Sequence, residues 1–161
     1  MSLPTLPVTH SPVEKFREYL NSRSTPQRFT EQQRELVEHI FATHSHFDAD
    51  QLIRDIDKSK LNISRATVYR TLSKLVDAGM LRTMEIGART VYEHDYGYPQ
   101  HEHLVCEHCG TIIEFQLPAI ETMLQNIARQ HQFQVEGHTI LVRGKCYSCS
   151  QARSKRRLDM I

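Results

Sequence analysis

The sequence has no apolar run long enough to cross a bilayer, since a spanning helix needs about 20 consecutive, largely apolar residues. That argues against a membrane protein. It begins MSLPTLPVTHSPVEKF, with no basic stretch leading into an apolar one, so no secretory leader is expected and the expected location is the cytoplasm. Neither sign of charge is in excess: 20 Lys and Arg stand against 19 Asp and Glu, a formal net charge of +1. No global charge excess announces a nucleic-acid partner, and any such binding has to come from a local patch. No internal repeat is visible. Cysteine is scarce too, with four in 161 residues, but those four are not scattered.

Cys106 and Cys109 frame CEHC, and Cys146 and Cys149 frame CYSC. In a reducing compartment, thiols paired at this spacing are more often zinc ligands or redox centres than structural disulfides. Two such pairs can bring four thiolates to one tetrahedral centre, the closed shell of a structural Zn2+ site. The rival is a thioredoxin-like thiol oxidoreductase working through CEHC. That motif comes once and opens a helix, whereas both pairs here read as turns between strands. The stretch QHEHLVCEHCG, residues 100–110, adds His101 and His103, which a four-thiolate site leaves unused. In a strand these two share a face, with Glu102 on the other, and Glu114 falls in the expected partner strand. Nitrogen and oxygen donors of this kind suit Fe(II), Mn(II), Co(II) or Zn(II) rather than soft copper. The bland alternative is a pair of solvated strand histidines.

Helical periodicity starts at Thr30, with Leu36, Val37, Ile40 and Phe41 on one stripe. Asp48 can cap a short helix carrying Leu52, Ile53 and Ile56, and Ser64 can cap a third that ends near Gly79. MLRTMEI and RTVYEHD then read as two strands joined by a Gly-Ala turn. Three helices and a hairpin outline a winged helix-turn-helix. The third helix has Val68, Leu72, Leu75 and Val76 on one face. Thr67, Arg70 and Lys74 lie opposite, with Tyr69 at the border. An apolar docking face backed by a cationic, hydrogen-bonding one suits a DNA groove, and Arg28 and Arg34 could add phosphate contacts. An ordinary solvated amphipathic helix is the competing reading. The expected fold class is α+β, with a winged-helix domain over 28–94, a hinge over 95–100 and an α/β domain carrying both cysteine pairs over 101–150. A lightly docked N-terminal extension (1–27) and a basic, disordered tail (151–161) flank them. The second domain, of roughly 60 residues, has a thin core and needs a metal staple or a dimer partner.

RATVYRTLSKLVDAGML, HEHLVCEHCGTIIEF and the trailing CYSC together resemble the ferric uptake regulator family of metal-responsive repressors, from about Thr30 to Cys149. The resemblance implies a homodimer in which the C-terminal α/β domain over 101–150 is the dimerisation domain with the four-cysteine zinc site, a tetramer as a further assembly to consider, and no catalytic activity. It implies an AT-rich inverted-repeat operator in double-stranded DNA. Structural zinc would sit on Cys106, Cys109, Cys146 and Cys149, and a sensor site on His46, Glu93, His101, His103 and Glu114. Glu102, Glu121 and His138 match three ligands of a further site; where a histidine usually supplies the fourth, this chain has Gln100. The linker after Glu93 is one residue longer than in many relatives. Tyr69 and Arg70 match groove readers, and Arg28 a minor-groove contact. Peroxide-sensing members tend to carry aspartates where this chain has Glu93 and Glu114. Zinc-sensing members usually place a cysteine in the sensor, and all four here are committed. The resemblance therefore implies an Fe2+-responsive repressor of iron-uptake genes, with Mn2+ or Zn2+ able to substitute in vitro and a peroxide-, manganese- or zinc-sensing member of the same family as the alternative.

Overall fold

Ser11 precedes Pro12, and together they start a helix cleanly: the Ser11 hydroxyl accepts the Glu14 N–H while the Glu14 carboxylate accepts the Ser11 N–H at 2.8 Å. This reciprocal box satisfies two otherwise orphaned donors. The computed structural model describes residues 6–151, in two compact units that meet at Pro99 and Gln100.

The first unit opens with α1 (Pro12–Ser22), followed by α2 (Glu31–Phe41), capped by Thr30. A two-residue strand, β1 (Phe47–Asp48), leads into α3 (Ala49–Lys58), whose N-cap Asp48 accepts the Gln51 N–H at 2.7 Å. Then come α4 (Arg65–Asp77), capped by Ser64, and the hairpin of β2 (Leu81–Ile86) and β3 (Arg89–His94). Gly79 follows α4 with φ +64°, a conformation a Cβ would strain. Helices α2 to α4 and the sheet form the expected winged helix. β1 was not expected: two residues are too few to show alternation, yet it pairs antiparallel with β3 and makes a sheet of order β1-β3-β2. The core gathers Leu36, Val37, Ile40, Leu52, Ile53, Ile56, Val68, Leu72 and Leu75 from the predicted stripes.

The N-terminal segment corrects an expectation. It is helical, but α1 is no lightly docked extension: Phe16 and Leu20, one turn apart, are both fully buried in that same core. Phe29 meets Phe16 edge-on at 6.1 Å, and Arg17 lies over the Phe29 ring. A boundary at residue 28 would cut through one hydrophobic core. The expected hinge is also anchored at its start, since the Asp95 and Tyr96 amides donate to the Met80 carbonyl and the Leu6 amide to that of Gly97. Buried His94 gives its Nε2 to the Ile40 carbonyl at 2.9 Å, and burial pushes its pKa down to about 4, so it stays neutral.

The second unit contains β4 (Glu102–Cys106), β5 (Ile112–Phe115), α5 (Pro118–Gln130) and β6 (Leu141–Gly144). The order is β5-β4-β6, with β6 parallel to β4. A parallel neighbour needs a crossover, and α5 lies on it. Its core is thin: among the described residues the buried apolar side chains are Val105, Cys106 and Ala128. Leu104, flanked in register by Ile113 and Val142, instead forms an exposed apolar row across the sheet. The second cysteine pair is not a turn between strands, because residues 147–151 wind into a helical turn. The basic tail falls outside the described residues beyond position 151.

Phe16→Ala should cost about 3–5 kcal/mol of stability, the range for a buried phenylalanine. Urea unfolding of the full chain checks this; a loss below about 1 kcal/mol would return α1 to the status of a loose appendage.

Candidate metal centres and nucleic-acid interface

The turn after β4 and the loop after β6 converge because β4 and β6 run parallel and end together, Cys106 opposite Gly144. One sulfur from each of Cys106, Cys109, Cys146 and Cys149 lies within 4.8 Å of the others. The Cys109 and Cys146 sulfurs are 3.7 Å apart, and a zinc tetrahedron with ~2.3 Å bonds to sulfur has edges of about 3.8 Å. The Cys146 amide donates to the Cys106 sulfur at 3.3 Å. That bond, aided by the Cys109 amide, holds the Cys106 pKa down to about 6, and the Thr111 hydroxyl lowers that of Cys109. Cys149 is pushed up to about 12, chiefly by its hydrogen bond with the Cys146 thiol and by burial. Without a cation the group shares protons, because four adjacent thiolates repel; a dication reverses that balance.

Harder donors lie on each unit. In the first, His46 precedes β1 and Glu93 lies on β3, with His46 Nε2 3.3 Å from Glu93 Oε2. Two donors bound at ~2.1 Å to one ion stand about 3.0–3.4 Å apart, so the spacing fits shared ligation. In the second, His101 and His103 share a face, ring centroids 4.8 Å apart, and Glu114 on β5 pairs directly with His103.

On α4, Tyr69 is 48% exposed, and Arg70 is exposed with its Nε turned back to the Ala66 carbonyl at 3.1 Å. Arg65, four residues before Tyr69, is exposed on the same face. Lys74 is half-buried and Arg28 exposed. Thr67 is engaged at the helix start, its hydroxyl 3.0 Å from that of Ser64.

The model of the ferric uptake regulator family matches residues 24–143, well over half of the chain. The chain belongs to the ferric uptake regulator family. It is 32% identical over 145 residues to a ferric uptake regulation protein of Campylobacter jejuni, covering 89% of this chain and 91% of that one. A Vibrio cholerae ferric uptake regulator structure shares 30% identity, covers 74% of this chain and 92% of its own, and superposes with a TM-score of 0.64. The Helicobacter pylori regulator, at 24% identity, shows the same fold with a TM-score of 0.77 over 92% of this chain and 97% of its own. Members are transcriptional regulators that respond to metal, and among the described residues no helix is long and apolar enough to cross a membrane.

Within this family frame two expectations need correction. Arg34 does not present a free cation to phosphate: it is ion-paired with Glu31 and Glu38 on its own helix, and those carboxylates raise its pKa further. The further site on Glu102, Glu121 and His138 does not assemble either. Glu102 meets His138 Nε2 at 3.2 Å and accepts the Leu117 amide, but Glu121 is exposed, and the described residues hold no three-ligand group that joins them. Gln100 acts as a clamp, its amide donating to the His138 carbonyl at 2.9 Å. Sequence reading also missed Arg82, which sits beside Glu93. The two-residue turn at Gly87 (φ +64°) fixes the hairpin register, and that register alone would have placed Arg82 opposite Glu93.

Cys146→Ser should lower tightly held zinc to well under one per chain and reduce thermal stability, because a structural metal contributes folding free energy directly. Metal analysis after mild EDTA, with a melting curve, reads both; a variant that keeps full zinc would rule Cys146 out as a ligand.

Proposed function

We propose that the protein is a homodimeric, DNA-binding transcriptional repressor switched by Fe2+, with structural Zn2+ on Cys106, Cys109, Cys146 and Cys149. The observation that carries this reading is the chemical split between donor sets: one closed group of four sulfurs, and imidazole and carboxylate donors on the winged-helix unit and on the strand unit. Closed thiolate shells hold structural zinc, while imidazole and carboxylate sets bind divalent iron or manganese more reversibly. The iron assignment draws on the Campylobacter jejuni relative, named a ferric uptake regulation protein.

When bound, the divalent ion supplies one positive centre that ligands on both units can share. His46 and Glu93 would hold it from the winged helix, and His101, His103 and Glu114 from the other unit. Shared ligation fixes how the two units are oriented. In a two-fold dimer that sets two α4 helices at half-site spacing, so the operator is an inverted repeat. Metal binding then raises DNA affinity, and DNA raises metal affinity by the same factor. The exposed row of Leu104, Ile113 and Val142, over a core too thin to stand alone, supports a second copy as its cover. Tyr69 and Arg70 read bases, and Arg28 contacts the backbone or minor groove.

The zinc-loaded protein, titrated with Fe2+, Mn2+ and Zn2+ while operator binding is followed, tests the switch. His101→Ala should keep its zinc and its dimer yet lose at least about tenfold in metal-dependent operator affinity; a normal metal response in that variant removes His101 from the sensor. Oxygen added to the His101–His103 peptide by peroxide would instead identify a peroxide sensor. Tyr69→Ala should narrow the affinity gap between operator and random DNA by about 1–3 kcal/mol, the worth of a base contact. An unchanged gap means Tyr69 reads no sequence.

A further inference from the structure

Glu93 is 4% exposed, and its two oxygens are divided. Oε2 faces His46 Nε2 at 3.3 Å, while Oε1 faces Arg82 Nε at 3.3 Å. The same Arg82 Nε lies 3.0 Å from Asp95 Oδ1 in the segment that follows β3. Register enforces this: Arg82 on β2 and Glu93 on β3 are direct cross-strand partners, and the Asp95 amide is tied back to the Met80 carbonyl at 3.0 Å. Arg82 itself is mostly shielded, its side chain 21% exposed. One guanidinium is thus held between a carboxylate of the ligand pair and a carboxylate of the linker.

We propose that Arg82 is the internal counter-cation of the sensor, setting how tightly Glu93 takes a metal ion. This rests on the reading of His46 and Glu93 as metal ligands. A buried carboxylate is costly without a compensating positive charge, and Arg82 supplies that charge before any metal arrives. With Oε1 facing Arg82, Oε2 is the oxygen beside His46 that would meet the ion. Arg82 also places a positive charge one bond network away from a dication, and that repulsion lowers metal affinity. Were Glu93 to hold a dication, Arg82 would keep Asp95 as its partner, so the guanidinium would not be left uncompensated. Arg82 is therefore a positioning residue that trades metal affinity for stability of the metal-free state. A sensor needs such a threshold, because a site that fills at trace metal cannot report scarcity.

The test uses the full, zinc-loaded chain and Mn2+ as the probe, with affinity read by competition against a fluorescent chelator and stability by melting temperature. Arg82→Gln should bind Mn2+ at least about tenfold more tightly, and its metal-free form should melt below the wild type. Arg82→Lys keeps the charge and should restore wild-type affinity. Asp95→Asn has the opposite sign: with that carboxylate gone, Arg82 presses harder on Glu93, and Mn2+ binding should weaken severalfold. That variant decides the matter if Arg82→Gln does not fold. Equal or weaker Mn2+ binding by folded Arg82→Gln, or unchanged binding by Asp95→Asn, overturns the inference while leaving the sensor in place. A wild-type protein that takes up no Mn2+, or one whose uptake survives Glu93→Gln, overturns the sensor reading and this inference with it.

Discussion

The four cysteine sulfurs gathered within 4.8 Å of one another are the constraint on which the second unit depends. Three strands and one helix there bury little apolar surface, and a sheet this small does not close on hydrophobic burial alone. The parallel pairing of β4 and β6 is the arrangement that ends both chains at the cysteines. A tetrahedral metal centre bound there would tie together the two ends of the crossover, which span most of the unit, and would fix β4, the strand that carries His103 and follows His101.

The first unit works by the opposite means. Its core is large, dry and continuous from α1 to β2, and it holds α4 rigid from behind while leaving Tyr69 and Arg70 outward. Two of its arginines are tied up by carboxylates: Arg34 by two glutamates, Arg82 by Glu93 and Asp95. The near-equal numbers of basic and acidic residues set the net charge near zero. A DNA-binding chain can be nearly neutral, since affinity for phosphate requires only a local excess on the contacting face.

Much of this is legible in the linear sequence. The caps Ser64 and Asp48, the apolar stripes and the Gly-Ala hairpin turn are local signals, and local signals survive in a linear string because their partners lie within four residues. The cysteine spacing is equally readable, since four soft ligands in two C-x2-C pairs have few other uses. Sequence reading fails where partners are distant. α1 looks peripheral because its Pro- and Ser-rich approach masks a helix whose two buried residues meet a core assembled from later segments. Arg34 is the exception: Glu31 and Glu38 lie three and four residues away on its own helix face, a local pairing that was legible in the sequence. The site on Glu102 and His138 looks plausible by likeness, but a ligand set requires all its members to converge, and Glu121 does not.

By itself, then, the sequence determined which elements form, which faces are apolar and which residues have metal chemistry, because these follow from local backbone preference and side-chain type. Only the tertiary structure decided which like-looking groups are available and which are engaged. It put one oxygen of Glu93 against Arg82 and the other against His46, and turned Gln100 into a clamp for the His138 carbonyl. Those outcomes depend on strand register and on atoms brought together from distant positions. Electrostatic and hydrogen-bond energies fall off over a few ångströms, so they are settled by distance in space and not by order along the chain.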